Sequence, residues 1–144
     1  MTVPLVASRC REAIRHGVTY YVKELFDPAS LPKPFSKAPR LTVYRRELYD
    51  YAECINLGVL LQGEFPELDR ILSLVLADLL ERWQKSDGSF RARELLVGWD
   101  NVPMHRWAQS QVFRSLSFFL ATNLKSEDRD SREAVSSLPT KITD

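Results

Sequence analysis

Apolar residues return at three- and four-residue intervals in four stretches of this chain, the pattern of helices that bury one face. In the first stretch Val6, Cys10, Ala13, Ile14, Gly17, Val18, Tyr21 and Leu25 form the stripe, and Arg9, Arg11, Glu12, Arg15 and Lys23 lie off it. The spacing predicts a helix over 4–26. Asp27-Pro28 ends it, because proline disfavours helical geometry in the residue before it. The second stripe, Leu48, Tyr51, Ala52, Ile55, Val59 and Leu60, predicts a helix over 43–62. The third helix, over 66–84, opens on Pro66, which suits a first helical turn. Its face is Leu68, Ile71, Leu72, Val75, Leu79 and Trp83. Leu74, Leu76 and Leu80 widen that face, so burial on more than one side is expected. The fourth helix, over 104–123 behind Pro103, carries Met104, Trp107, Ala108, Gln111, Val112, Ser115, Leu116 and Phe119. Phe113, Phe118 and Leu120 lie outside that stripe and imply another packing partner.

The links alternate in length. Residues 27–43 hold Pro28, Pro32, Pro34 and Pro39 and read as a semi-rigid extended connector. Gly63-Glu64-Phe65-Pro66 is a short break. Residues 85–103 form a second long connector, with a glycine turn at Ser86-Asp87-Gly88-Ser89 and a short helical or extended piece between Arg91 and Val97. Helices joined by a short link are antiparallel neighbours. The expected fold class is therefore all-α: about four main helices arranged as two antiparallel hairpins, with both long connectors at one end. Residues 1–124 form one helical domain. Residues 125–144, poor in apolar side chains and mixed in charge, read as a flexible tail.

Composition narrows the class. A chain of 144 residues with 44% hydrophobic and 27% charged content fits one soluble domain. Its formal net charge of +1, with Lys and Arg spread among acids, argues against a nucleic-acid partner. No apolar run approaches the roughly 20 residues of a membrane span, so no membrane partner is expected. Charges interrupt the N-terminal stretch where a signal peptide would be apolar, and a cytoplasmic location follows as the default. Cys10 and Cys54 both fall on apolar stripes and read as buried thiols. His16 and His105 are far apart, so no metal-ligand spacing appears, and no cofactor is expected.

Binding groups tend to sit on loops held by a rigid scaffold, so the long-connector end is the candidate site. Asp50, Glu53 and Asp100 are its carboxylates. Asp50 and Glu53 lie three apart on one helix face, and glycoside hydrolysis needs two carboxyls across the scissile bond. Pairing with Arg45, Arg46 or Arg106 is the competing role for them. His105 is a candidate general base through its near-neutral pKa. Tyr44, Tyr49, Trp99 and Trp107 could stack on sugar rings or an apolar ligand, with Trp99 in the Gly98-Trp99-Asp100 loop the leading contact. Arg106 and Gln109 complete the ligand-binding candidates, and a guanidinium suits anionic groups. Tyr51-Ala52-Glu53 and Trp107-Ala108-Gln109 occupy similar places in two helices, a short internal repeat.

On these residues a resemblance rests. Trp83-Gln84 followed by Asp87-Gly88-Ser89-Phe90 resembles the hairpin ends of α/α-toroid proteins. These include terpenoid cyclases, protein prenyltransferases, and the (α/α)6 glycoside hydrolases and polysaccharide lyases. The loop Gly98-Trp99-Asp100 running into Met104-His105-Arg106-Trp107-Ala108-Gln109 is similar to the outer-to-inner helix crossing of such rings. The resemblance implies a cavity lined by inner-helix N-termini. A full ring has up to twelve helices, and this chain offers about four. It has no Asp-rich motif of the cyclases and no zinc spacing of the prenyltransferases. The expectation is a domain that binds or processes a saccharide. A helical scaffold that forms a homo-oligomer through its third and fourth helices is the alternative, and an isoprenoid-binding toroid fragment is the third option.

Overall fold

The computed structural model describes residues 3–37, 39–102 and 105–136; for His105, Arg106 and 125–136 it describes the backbone alone. The expected helix start at Met104 and the end of the expected tail, 137–144, lie outside the described residues. Four helices, α1 (Val3–Glu24), α2 (Leu48–Leu60), α3 (Pro66–Asp78) and α4 (Ser110–Ser136), carry most of the chain. About 61% of residues are helical, but the class is not all-α. A three-stranded antiparallel sheet joins the two long connectors, ordered β1 (Tyr44–Glu47), β2 (Arg93–Leu95), β3 (Trp99–Asp100).

The sheet explains the first departure from the periodicity. Residues 44–47 were expected inside a helix and instead pair with 93–95 across the molecule. Helix propensity is a weak prior that such a distant ladder overrides. The helix then begins at Leu48, whose amide donates to the Ala92 carbonyl at 3.0 Å. A bulge interrupts β1: Tyr44 faces Leu95 and Arg46 faces Glu94, so Arg45 is the extra residue. Bulges bend a strand and re-aim side chains.

Helix α2 is the hub and packs against both α3 and α4. Leu48, Tyr51, Ala52, Cys54 and Ile55 are wholly buried, joined by Leu68, Ile71 and Val75 of α3 and Val112 of α4. Each such aliphatic side chain contributes about 2 kcal/mol of hydrophobic stabilisation. Gly58 lets α2 and α3 close: a Cβ there would stand 3.1 Å from that of Leu72. Ser115 is fully buried, and its hydroxyl donates to the Ala52 carbonyl at 3.0 Å, tying α4 to α2.

Helix α3 runs into a π-helical turn, Leu79–Trp83. The Gln84 amide reaches back to the Leu79 carbonyl at 3.2 Å, and both Leu79 and Trp83 are buried. A second π turn, His105–Gln109, precedes α4. Helix α4 then continues to Ser136, well past the expected end near 123 and into the stretch expected to be a flexible tail.

Three burial expectations are corrected. Along α1 only Val18 is buried; Val6, Ile14 and Cys10 are exposed, so most of its stripe meets no core in this chain. Helix α1 joins the core through Tyr21, Val22 and Leu25 near its end. Of the three leucines that widen the third predicted helix's face, Leu74 and Leu80 are exposed, while Leu76 packs partly buried against the core. Cys10 is exposed, while Cys54 is buried and its thiol is pushed up to about 12, first by burial.

Candidate functional site

The two long connectors meet, and a groove opens where they do. The first connector turns back as soon as α1 ends. Asp27 Oδ1 accepts the amides of Ala29 at 2.9 Å and Leu31 at 3.0 Å, and Phe26 bridges to Pro32. Asx turns of this kind replace backbone partners at a chain reversal. The extended run Pro32-Lys33-Pro34-Phe35-Ser36 then forms one wall of the groove. Thr42, Tyr44, Arg45, Arg46 and Leu96 form the other, around a volume of about 540 Å³. Tyr44 lies 6.0 Å from Phe35 with the rings tilted by 48°, and the Arg93 guanidinium covers one Tyr44 face at 5.1 Å.

Beneath the groove runs a ladder of alternating charge. Arg46 donates to Asp27 Oδ2 on one side and Glu94 Oε2 on the other. Glu94 Oε1 accepts from Arg82 at 3.2 Å, and Arg82 reaches Asp78 Oδ1 at 3.0 Å. Asp78 Oδ2 closes the ladder by accepting the Tyr51 hydroxyl at 2.7 Å and the Trp83 indole N–H at 3.0 Å. Burial raises the Tyr51 phenol, and the bond to Asp78 raises it further. The ladder ties the first connector, β1, β2, the π turn and α2 into one block. Beside it, Glu47 takes Arg93 at 2.8 Å.

The residues singled out from sequence fall into separate places. Tyr44 lines the groove. Trp99 is half-buried and wedged: Trp83 meets it edge-on at 5.1 Å, and the Arg91 guanidinium lies over it at 4.9 Å. Asp100 belongs to β3; its Oδ1 accepts the Val102 amide at 3.0 Å. Gln109 faces inward, where its side chain accepts the Phe90 amide at 2.9 Å and donates to the Phe90 carbonyl at 2.6 Å. Both halves of its amide are thereby used on backbone.

Trp107 is 68% exposed, off the buried stripe on which the periodicity set it. Its counterpart in the internal repeat, Tyr51, is buried, as are Ala52 and Ala108, so only the alanines of the repeat share an environment. The side chains of His105 and Arg106 lie outside the described residues. On the first turns of α2, the charge of the exposed Glu53 raises the phenol of Tyr49.

Asp50, in the first turn of α2, has a displaced titration. Burial first, then the Glu47 charge, raise it to about 6, while the Glu47 backbone amide works the other way. Its Oδ2 is buried and has no hydrogen-bond partner among the described residues. A carboxyl of that kind has the pKa of a general acid, but the groove is lined by other residues.

Sequence reasoning missed Asp27, Phe35 and Glu94. Asp27 read only as a helix end and Phe35 only as part of a connector. A signal did exist for the charge. Residues 27–47 hold five cations, Lys33, Lys37, Arg40, Arg45 and Arg46, against two carboxylates, Asp27 and Glu47. Among the described residues no group of three or more His, Cys, Asp or Glu could hold a metal ion, and no helix is long and apolar enough to cross a membrane. Comparison of the chain with protein-family models, with curated proteins and with solved structures returns no match.

Proposed function

We propose that this chain is a saccharide-binding helical domain, built as a unit of an α/α array, whose site is the groove between the two long connectors. The observation that carries the reading is the groove's lining: an aromatic pair, Phe35 and Tyr44, set among Ser36, Thr42, Lys33 and Arg45. A ligand site of this kind joins apolar surface for ring faces to a few polar groups that fix orientation. Binding is favoured over hydrolysis. Hydrolysis needs two available carboxyls flanking one bond, and the groove's own carboxylate, Asp27, is committed to Arg46 and two backbone amides. The Asp87-Gly88-Ser89-Phe90 turn supports the array reading. It sits directly behind the helix end, closed by the Lys85 amide on the Ser89 carbonyl at 2.8 Å.

Titration calorimetry against a panel of oligosaccharides tests the reading. At least one member is expected to bind, with Phe35→Ala and Tyr44→Ala each weakening it about tenfold or more, the loss of one well-placed aromatic contact. Trp99→Ala should leave affinity unchanged, since Trp99 is occupied by Trp83 and Arg91. Absence of binding across the panel would remove the proposal.

A second reading, self-assembly, is favoured by a different observation. Phe113, Leu120 and Leu124 of α4 and Leu74 and Leu80 at the end of the third predicted helix are all exposed. Clusters of exposed large apolar side chains mark interaction surfaces. Sedimentation equilibrium would show a concentration-dependent oligomer that Phe113→Asp with Leu120→Asp dissociates; a monomer at every concentration would dispose of this reading.

A further inference from the structure

The groove's charge specifies its ligand more narrowly. Arg46 is neutralised from both sides by Asp27 and Glu94, and Glu47, the other carboxylate of the segment, is taken by Arg93. Lys33 and Arg45 are left on opposite walls with no carboxylate partner among the described residues. The β1 bulge matters here. It pairs Tyr44 with Leu95 and Arg46 with Glu94, neighbours that point to opposite faces of β2, so Tyr44 and Arg46 leave opposite faces of this edge strand, and both line the groove together with the extra residue Arg45. The whole chain carries a net charge of only +1, so the excess is local to this segment.

We infer that the groove takes an acidic saccharide, one bearing carboxylate or sulfate groups, with Lys33 and Arg45 as the residues that select for the charge. Arg45 presents a planar fork of donors suited to either anion. Lys33, between Pro32 and Pro34, is held on a stretch of backbone with little freedom to lose on binding. Single-stranded nucleic acid is the less favoured polyanion. A strand of nucleic acid is held by a run of cations tracking its backbone, and the groove offers two, Lys33 and Arg45, beside the neutralised Arg46.

An acidic saccharide is a special case of the ligand proposed above, so the experiment separates the two. Affinities are measured for an oligogalacturonate, a sulfated oligosaccharide, a neutral cello-oligosaccharide of equal length and an oligothymidylate. They are compared for the native chain and for the Lys33→Ala/Arg45→Ala double variant. One or both acidic saccharides are expected to bind about tenfold or more tighter than the neutral one. The double variant should abolish that preference, so that acidic and neutral saccharides bind alike, while leaving the melting temperature in place. Added salt of about 0.5 M should narrow the preference, as screening shortens the reach of exposed charges. Equal binding of neutral and acidic sugars would overturn the charge inference and keep the saccharide reading. No sugar binding at all would remove both, and tighter binding of oligothymidylate would overturn the inference in favour of nucleic acid.

Discussion

Asp50 and Gln109 show how a single side chain is committed by its surroundings. Asp50 is raised to about 6 by burial and by Glu47, against about 3.9 for an unfolded aspartate. The folded chain therefore binds this proton more tightly than the unfolded chain. Its stability falls as pH rises between these two values and stays lower above them. Asp50→Asn removes the charge, so it should stabilise the chain at pH 7 by roughly 1–2 kcal/mol and make no difference near pH 3. Urea melts at the two pH values check this, and an equal effect at both would refute it. Gln109 is committed by hydrogen bonding. Truncating it leaves a buried amide and a buried carbonyl of Phe90 without partners, at a cost of about 3 kcal/mol. Gln109→Glu should recover only part of this, because a carboxylate accepts from the amide but cannot donate to the carbonyl. Thermal melts of the pair would read the difference, and wild-type stability for Gln109→Ala would show that the clamp contributes nothing.

At the scale of elements, legibility followed the range of the interactions. Helices α2 and α3 were readable because Leu48, Tyr51, Ile55, Val59 and then Leu68, Ile71 and Val75 keep one spacing and meet one core. The start of α2 was not readable. Tyr44 to Glu47 look helical by local pattern, and only their partners some fifty residues later, 93–95, make them a strand. The α1 stripe was visible in sequence, but its burial was not, since periodicity reports a face and not what covers it. The same gap separates the predicted site from the observed groove. Tyr44 and the meeting of the connectors were within reach of the sequence. The groove's other wall was not, because Phe35 carries no chemistry until Asp27 folds the connector back. Trp99, selected for lying beside glycine and aspartate, is instead covered by Arg91, a contact no spacing rule encodes.

For the molecule as a whole, the charge ladder beneath the groove has a kinetic meaning. The links made by Arg46 and by Glu94 join residues 19, 48 and 12 positions apart in the chain. Contacts that close long loops come after local helices in folding, because loop entropy must be overcome first. The α2–α3 pair can assemble around Gly58 before either rung of Arg46 is in place. Arg46→Met should therefore accelerate unfolding while hardly slowing refolding, a lopsided shift in the unfolding limb of a chevron plot. Equal movement of both limbs would place the ladder in the folding nucleus. If the lopsided shift is found, the ladder is a lock that sets how long the native state lasts, and the lifetime of the assembled groove is governed by salt and by one arginine.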